Sequence, residues 1–312
     1  MAEKDISEKV LMSYADVFAD CENALAYGGE LKLRAEHLQP APTESFYIGG
    51  NKMHNQFCDE SFYLVKNGTI KAQYIIENET QMKQRQILRK MSYHGGAYRL
   101  QFESKRPVYP VISFVIDWTR KSTRIPLSLH DLLAKNGMPQ DEMHQIENVK
   151  LNVYHMRNLS KKVRNRFTSD MGFVVDYLND GNFENRRNQK IIHAEALCQM
   201  MEALTKDARF TDLIGELIKR QEEKGGEIVM CEYIDMLEAR GEARGIKKGE
   251  VIGEKRGLKT GEIIGEKRGF QKGETRLANL IQYLLKEKNY DAISLASSDS
   301  GKRQELYRIY GI

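Results

Sequence analysis

Apolar and polar residues first follow a helical spacing along the chain and then alternate as in β-strands. Ile6, Val10, Tyr14 and Phe18 recur every four residues, which predicts a first helix over residues 5–27. Extended segments follow at residues 44–48, 59–79, 108–116 and 150–156. Helical spacing returns at residues 82–100, 160–178 and 188–221. This order of helix, strands, helix and strand predicts an α/β fold built on a central sheet.

A tight turn divides the extended segment 59–79. Asn67-Gly68 lies at its middle, and Asn-Gly between two extended runs is a strong hairpin signal. A hairpin of this length brings Asp59 close to Glu77 and Glu79, and the strand alternation directs both glutamates to the same face. Three converging carboxylates predict an oxygen-rich site suited to Mg²⁺ or Mn²⁺. The alternative is that all three are solvated charges at strand ends.

Basic residues crowd the helical segment that follows these acids. They are Lys83, Arg85, Arg89 and Lys90. A phosphodiesterase combines acids that hold a metal with bases that hold phosphate, so these four are candidate contacts to a DNA backbone. A solvated basic face of a helix is the alternative. The net charge of +4 is only mildly basic and supports nucleic-acid binding weakly.

Glycine recurs at every fourth residue from Gly241 to Gly273. Because four residues advance about 400° on an α-helix, such glycines share one seam only in a right-handed supercoil. Each glycine also costs about 1 kcal/mol relative to alanine within a helix. Two interpretations follow: a helical assembly that packs through the glycines and forms a homo-oligomer, or a flexible charged linker. Residues 275–293 and 300–310 then predict two paired terminal helices.

Hydrophobicity and cysteine spacing predict the cellular compartment of the protein. No segment approaches the roughly 20 consecutive apolar residues that a membrane span requires. Cys21, Cys58, Cys198 and Cys231 lie far apart, without the spacing of a zinc site. They predict reduced thiols in a cytoplasmic protein that does not enter a membrane.

Several sequence blocks occur together and in order. They comprise Asp5–Lys9, Tyr14–Asp20, Asp59, Ile76–Asn78, Ser92–Arg99, Tyr109–Ile112, Pro126–Leu129, Asp170–Tyr177 and Tyr307–Ile312. In these blocks the chain resembles the Rpn, or YhgA-like, recombination-promoting nucleases, transposase-like proteins of the PD-(D/E)XK nuclease superfamily. The resemblance covers most of the chain and is strongest before residue 180. It implies a restriction-endonuclease-like α/β core with a helical C-terminal extension and metal-dependent cleavage of DNA.

The resemblance also implies roles for single residues. Asp59 and Glu77 would bind Mg²⁺ or Mn²⁺, and an acid of the first helix, Asp16 or Asp20, would complete the site. The family usually has glutamine where this chain has Glu79. Glu79 would act as a ligand or general base, with Gln81 as a substitute if the strand continues. Alternatively, the site is impaired and the protein is a binding or regulatory one.

Four parts of the chain are predicted from these patterns. Residues 1–180 form the nuclease-like domain and residues 181–240 a helical region. Residues 241–274 carry the glycine repeat, and residues 275–312 form a helical terminal module.

Overall fold

The computed structural model of the protein describes residues 10–49, 52–104, 107–121, 124–223 and 228–312. The chain divides into two compact units, Met1–Glu238 and Ala239–Ile312. The first unit contains a five-stranded mixed sheet covered by helices, and the second is helical. The predicted mixed α/β class with a helical C-terminal region is therefore confirmed.

The strands and helices have the following bounds. The strands are β1 (Leu38–Pro40), β2 (Glu44–Gly49), β3 (Lys52–Phe57), β4 (Glu60–Lys66), β5 (Thr69–Glu79), β6 (Val111–Asp117), β7 (Val153–His155), β8 (Lys190–Ile191) and β9 (Ile228–Val229). The helices of the first unit are α1 (Ala15–Cys21), α2 (Gln86–Ser104), α3 (Leu129–Lys135), α4 (Lys161–Arg164), α5 (Met171–Asp180), α6 (Ala194–Thr205) and α7 (Ile214–Glu223). The long helix α8 (Met230–Lys286) includes the boundary between the units, and α9 (Tyr290–Ser298) and α10 (Ser300–Ile309) follow.

The central sheet has the strand order β1-β4-β5-β6-β7. Strand β4 pairs antiparallel with β1 and β5, whereas β6 pairs parallel with β5 and β7. Parallel neighbours cannot be joined by a tight turn, and helix α2 provides the crossover between β5 and β6. Strands β2 and β3 form a separate antiparallel pair, as do β8 and β9, which are distant in the chain.

The hairpin predicted at Asn67-Gly68 is confirmed. Both residues have positive φ values, 53° and 69°, which is the geometry of a type I′ turn. Lys66 pairs with Thr69, and the ladder continues to the pairing of Glu60 with Ile76. The register shifts by one residue between Leu64 and Val65, as at a β-bulge, and this shift sets the pairing of Glu60 with Ile76 at the far end of the ladder.

The two faces of the central sheet pack against different helices. On one face Phe62, Tyr74 and Ile76 join the main apolar core beneath α1, where the rings of Phe18 and Phe62 lie 4.6 Å apart. On the other face Ile75 packs against Tyr93 of α2. Glu77 and Glu79 have the parity of Ile75, so they share the face covered by α2.

One predicted strand is shorter than its pattern suggested, and one predicted helix is shifted along the chain. Strand β7 spans only three residues, because the segment before it leaves the ladder and bonds to a different partner. The Leu151 N–H donates to the Leu127 carbonyl at 2.7 Å, and Lys150 bridges to Ser128. Helix α2 begins at Gln86, four residues later than the pattern predicted, and continues to Ser104.

The predicted helix over residues 160–178 is two helices, α4 and α5. Between them the Asp20 carboxylate accepts hydrogen bonds from the backbone N–H groups and hydroxyls of Thr168 and Ser169, at 2.7 to 3.0 Å. These bonds satisfy N–H groups that a continuous helix would have bonded internally. A contact 148 residues away in sequence thus interrupts the helix.

In the second unit the glycine repeat is helical. All nine glycines lie within α8. Whether the segment is an assembly or a linker between the first unit and the terminal helices remains a prediction. A Cβ atom added at any of the nine positions would meet no atom within 4 Å. Past the repeat, Leu280 and Leu284 of α8 pack with Ala292, Ala296 and Tyr307 of the last two helices, as the predicted pairing requires.

In the described part of the chain, no helix combines the length and the apolar composition needed to cross a bilayer. All four cysteines are free thiols, and Cys21, Cys58 and Cys198 are buried.

Candidate active site

The β4–β5 hairpin brings Asp59 to Glu77. Asp59 directly precedes β4, whose first residue Glu60 pairs with Ile76, so Asp59 lies opposite Glu77 in the antiparallel register. The Asp59 Oδ2 atom accepts a 2.7 Å hydrogen bond from the backbone N–H of Asn78. This bond holds the carboxylate at the end of β5. The predicted convergence of the hairpin ends is therefore present in the structure.

Glu77 and Glu79 are both buried beneath α2, with exposed fractions of 4% and 7%. The Oε1 atom of Glu77 has no hydrogen-bond partner among the described residues. Burial, followed by the nearby charge of Asp59, raises the pKa of Glu77 to about 8, against the opposing effect of Arg89. A buried acid that keeps a proton near neutral pH indicates a site short of positive charge.

Arg89 of α2 provides the positive charge that reaches these acids. Its Nη2 donates to Glu77 Oε2 at 3.1 Å, and its Nη1 donates to Glu79 Oε1. Burial alone lowers the pKa of Arg89, but the charges of Glu79 and Glu77 outweigh it and raise the pKa above the usual range. The guanidinium therefore stays charged and bridges the two glutamates.

Two further residues of α2 complete this arrangement. Gln86 Nε2 donates to Glu79 Oε1 at 2.8 Å. Tyr93 Oη accepts from Arg89 Nη2 at 2.8 Å and from Nε at 3.1 Å. Neither Gln86 nor Tyr93 was predicted from the sequence to be a site residue. Their spacing from Arg89, three residues before and four after, is the signal that could have revealed them, because such positions share one helix face.

The residues fit a hard cation by chemistry but not in their present arrangement. Asp59 and Glu77 supply carboxylate oxygens, and Glu77 Oε1 is buried without a partner, which is an oxygen that a cation can satisfy. Within the described ranges, however, no group of three or more His, Cys, Asp or Glu side chains is positioned to hold a metal ion. The guanidinium of Arg89 occupies Glu77 Oε2 and Glu79 Oε1, so a site with all three acids requires Arg89 to move.

The four predicted DNA-contacting bases divide into two pairs. Lys83 and Arg85 are exposed in the turn before α2. Arg89 bridges the glutamates, and Lys90 Nζ donates to the Lys150 carbonyl at 2.6 Å. Burial lowers the pKa of Lys90. Only Lys83 and Arg85 are available for a backbone contact without rearrangement.

Three other candidate residues lie away from the carboxylates. Gln81 is exposed in a bend, because β5 ends at Glu79 and does not continue its alternation. Asp16 pairs with His193 Nε2 at 3.0 Å, and Asp20 accepts the bonds between α4 and α5. The expectation that an acid of the first helix joins the site therefore does not match the structure.

A pair formed by the buried Asp117 and the partly exposed His155 lies beside Glu79 and was not predicted from the sequence. Asp117, at the end of β6, is the register partner of Glu79 on β5 and of His155 on β7. Asp117 Oδ2 lies 2.5 Å from His155 Nδ1, and Asp117 Oδ1 accepts from the Thr119 N–H at 2.8 Å. The signal was available: both residues end strands that run parallel to β5, and ligands commonly bind at the carboxyl ends of parallel strands.

The chemistry of the site is thus that of buried acids that can hold a hard cation, with two exposed bases nearby. Comparison of the chain with protein-family models, curated proteins and solved structures found no match. The functional interpretation therefore rests on the residues and their geometry.

Proposed function

We propose that the protein is a metal-dependent endodeoxyribonuclease with a PD-(D/E)XK core. The observation that carries this proposal is the β4–β5 hairpin, in which Asp59 lies against Glu77 and is bonded to Asn78. An aspartate at one strand, Glu-x-Lys or Glu-x-Gln on the next and then a helix form the signature of that superfamily, and this chain departs from it at Glu79, the third position of Glu77-Asn78-Glu79. The crossover through α2 into a parallel strand agrees with it.

The proposed roles follow from the position of each residue. Asp59 and Glu77 would hold Mg²⁺ or Mn²⁺ through their carboxylate oxygens. A divalent cation bound there would lower the pKa of a coordinated water and neutralise charge that develops on the phosphate. Glu79, on the same face of β5, accepts the proton of the attacking water. Lys83 and Arg85 contact the DNA backbone from the exposed turn.

The resemblance to recombination-promoting nucleases extends the proposal to the biological role. In this interpretation the enzyme cuts DNA phosphodiester bonds and so promotes recombination or a transposase-like reaction.

A second candidate function is favoured by one observation, the bridge from Arg89 to Glu77 and Glu79. This bridge neutralises part of the acidic site without any cation. In this alternative the site is catalytically impaired, and the protein is a binding or regulatory one that keeps the nuclease fold.

Both candidates include self-association through α8. Nine glycines within one helix cost about 9 kcal/mol relative to alanine if each costs about 1 kcal/mol. Among the described residues, no packing against these glycines offsets that cost, since a Cβ atom there would meet nothing within 4 Å beyond the backbone of its own helix. Ile246, Leu258 and Phe270 are also exposed in the same segment. We propose that a second copy of the chain packs against it, giving a homo-oligomer.

Cleavage of supercoiled plasmid tests the proposed activity. We expect the full-length protein to nick the plasmid with Mg²⁺ or Mn²⁺ and not with EDTA, and Asp59→Asn to remove the activity. Glu103→Gln is the matched control, because it removes one negative charge from an exposed position of α2. Loss of activity in the control, or cleavage by Asp59→Asn at the wild-type rate, contradicts the assignment. A wild-type protein that binds metal without cutting DNA favours the second candidate.

A further inference from the structure

Arg89 holds the two buried glutamates from one side of the site. Its guanidinium donates to a carboxylate oxygen of Glu77 and to one of Glu79, so one side chain joins both. These contacts use the planar fork of arginine, which matches carboxylate oxygens better than an ammonium group does. Arg89 is thus bound to one residue that the proposed function assigns to the metal and to its neighbour on the strand.

Neighbouring side chains hold the Arg89 guanidinium in a defined position. Tyr93 accepts two hydrogen bonds from it, and the Arg89 guanidinium carbon lies 5.6 Å from the Tyr93 ring centroid. Gln86 donates to the Glu79 oxygen that Arg89 also contacts. The Arg89 side chain is nevertheless 32% exposed, so its guanidinium can leave the two carboxylates towards solvent.

We propose that Arg89 is an exchangeable counter-ion, bound to Glu77 and Glu79 in the metal-free protein and displaced when a divalent cation binds. The inference rests on the proposed metal site, which it deepens. The physical reason is competition: a cation bound to Glu77 Oε1 would share one carboxylate with the guanidinium on Oε2, and two positive groups at that distance repel.

The competition has a thermodynamic consequence. A protein whose binding-competent state is only partly populated shows an apparent affinity reduced by that fraction. The Arg89 bridge therefore weakens metal binding, while it stabilises the metal-free acids. Removing the guanidinium makes the carboxylates more available and leaves their charge without a counter-ion, and both changes tighten cation binding.

The chain carries a reporter beside the site. Trp118 is its single tryptophan. The Trp118 indole Nε1 donates to the Asn78 side chain at 3.0 Å, and its backbone N–H donates to the Glu79 carbonyl at 2.9 Å. Quenching of tryptophan fluorescence by Mn²⁺ therefore measures binding at this position without any need for activity.

The test is a Mn²⁺ titration of the full-length, metal-free protein, followed by Trp118 fluorescence and by calorimetry. We expect Arg89→Gln to bind Mn²⁺ about tenfold tighter or more than the wild type, within the usual range of coupling between two sites. Arg89→Lys keeps the charge without the fork, so we expect an intermediate gain. Arg99→Gln is the matched control: it removes the same charge from an exposed position of α2 to which no role is assigned, and we expect a change below about twofold.

Each outcome has a distinct meaning. Equal or weaker Mn²⁺ binding by Arg89→Gln overturns the inference, while the metal site stands if Asp59→Asn abolishes binding. No Mn²⁺ binding by the wild type or by Arg89→Gln overturns both the inference and the proposed metal site. If Arg89→Gln does not fold, as circular dichroism would show, the affinity of Arg89→Lys decides: no gain over the wild type overturns the inference.

Discussion

The carboxylate of Asp59 accepts a 2.7 Å hydrogen bond from the backbone N–H of Asn78, 19 residues further along the chain. This bond ties the residue before one strand to the end of the next. It also orients Asp59 beside Glu77, so the turn at Asn67-Gly68 and the register shift between Leu64 and Val65 together determine which residues meet at the opposite end of the hairpin.

Asp59→Asn removes the charge of this residue and keeps an oxygen for its hydrogen bond with the Asn78 N–H. The asparagine oxygen can still accept the Asn78 N–H, so we expect the fold to survive. Removing one charge from an acidic group should raise the melting temperature of the metal-free protein slightly, because like charges repel. Plasmid nicking should be lost. Thermal melts in EDTA check the first effect, and a large fall in melting temperature would contradict it.

Glu79→Gln tests whether the carboxylate itself takes part in the reaction. If Glu79 accepts a proton from the attacking water, we expect the cleavage rate to fall by about 10²-fold or more. The glutamine can still accept the Gln86 hydrogen bond, so the loss would reflect charge rather than folding. A rise in activity would instead favour the impaired site, since glutamine is the commoner residue of the family that the chain resembles.

Stability of the metal-free protein should depend on the pH through Glu77. Its folded-state pKa of about 8 lies above the unfolded value near 4.5, so the folded state binds the proton more tightly. The resulting stabilisation is complete below pH 4.5 and is lost as the pH rises through 8. We expect Glu77→Gln to lose less stability than the wild type between these values. Urea unfolding in EDTA at pH 5, 7 and 9 measures the difference, and parallel curves would refute it.

Gly172→Ala should destabilise the first unit by about 3 kcal/mol or more. A Cβ atom there would overlap the guanidinium of Arg186, which is buried and donates to Asp176 at 2.7 Å. The side chain cannot move aside without breaking that ion pair. Gly215→Ala in α7 is the control, because its Cβ atom would meet nothing within 4 Å. Equal unfolding free energies for the two variants would contradict this interpretation.

The glycine repeat can be tested by the triple change of Gly253, Gly257 and Gly261 to alanine. The helicity of an isolated peptide should rise, because each alanine lowers the free energy of helix formation by about 1 kcal/mol. Beyond the backbone of α8 itself, the three methyl groups meet no atom of the described residues within 4 Å, so we attribute any fall in oligomer mass to contacts between copies. We expect that fall in light scattering of the full-length protein.

A chain truncated after Arg240 is the comparison for this experiment, and we expect it to lose the association as well. If both proteins keep the wild-type number of copies per oligomer, α8 is excluded as the interface. It would then only connect the first unit to the terminal helices.

Local patterns in the sequence determined the hairpin and the parity of its acids. Asn67-Gly68 specifies a turn with two positive φ values, and alternation assigns Glu77 and Glu79 to one face whatever surrounds them. These features depend on residues that are neighbours in the chain. The division into domains at residues 180, 240 and 274 remains a prediction.

Only the tertiary structure decided which charges meet. The sequence grouped Arg89 with the bases that contact DNA, yet its guanidinium bonds to Glu77 and Glu79 because α2 folds back over β5. Asp117 and His155 meet through strand register across 38 residues. Asp20 interrupts a helix 148 residues away. Periodicity describes one element at a time, whereas these contacts depend on how elements pack, and packing determined the electrostatics of the site.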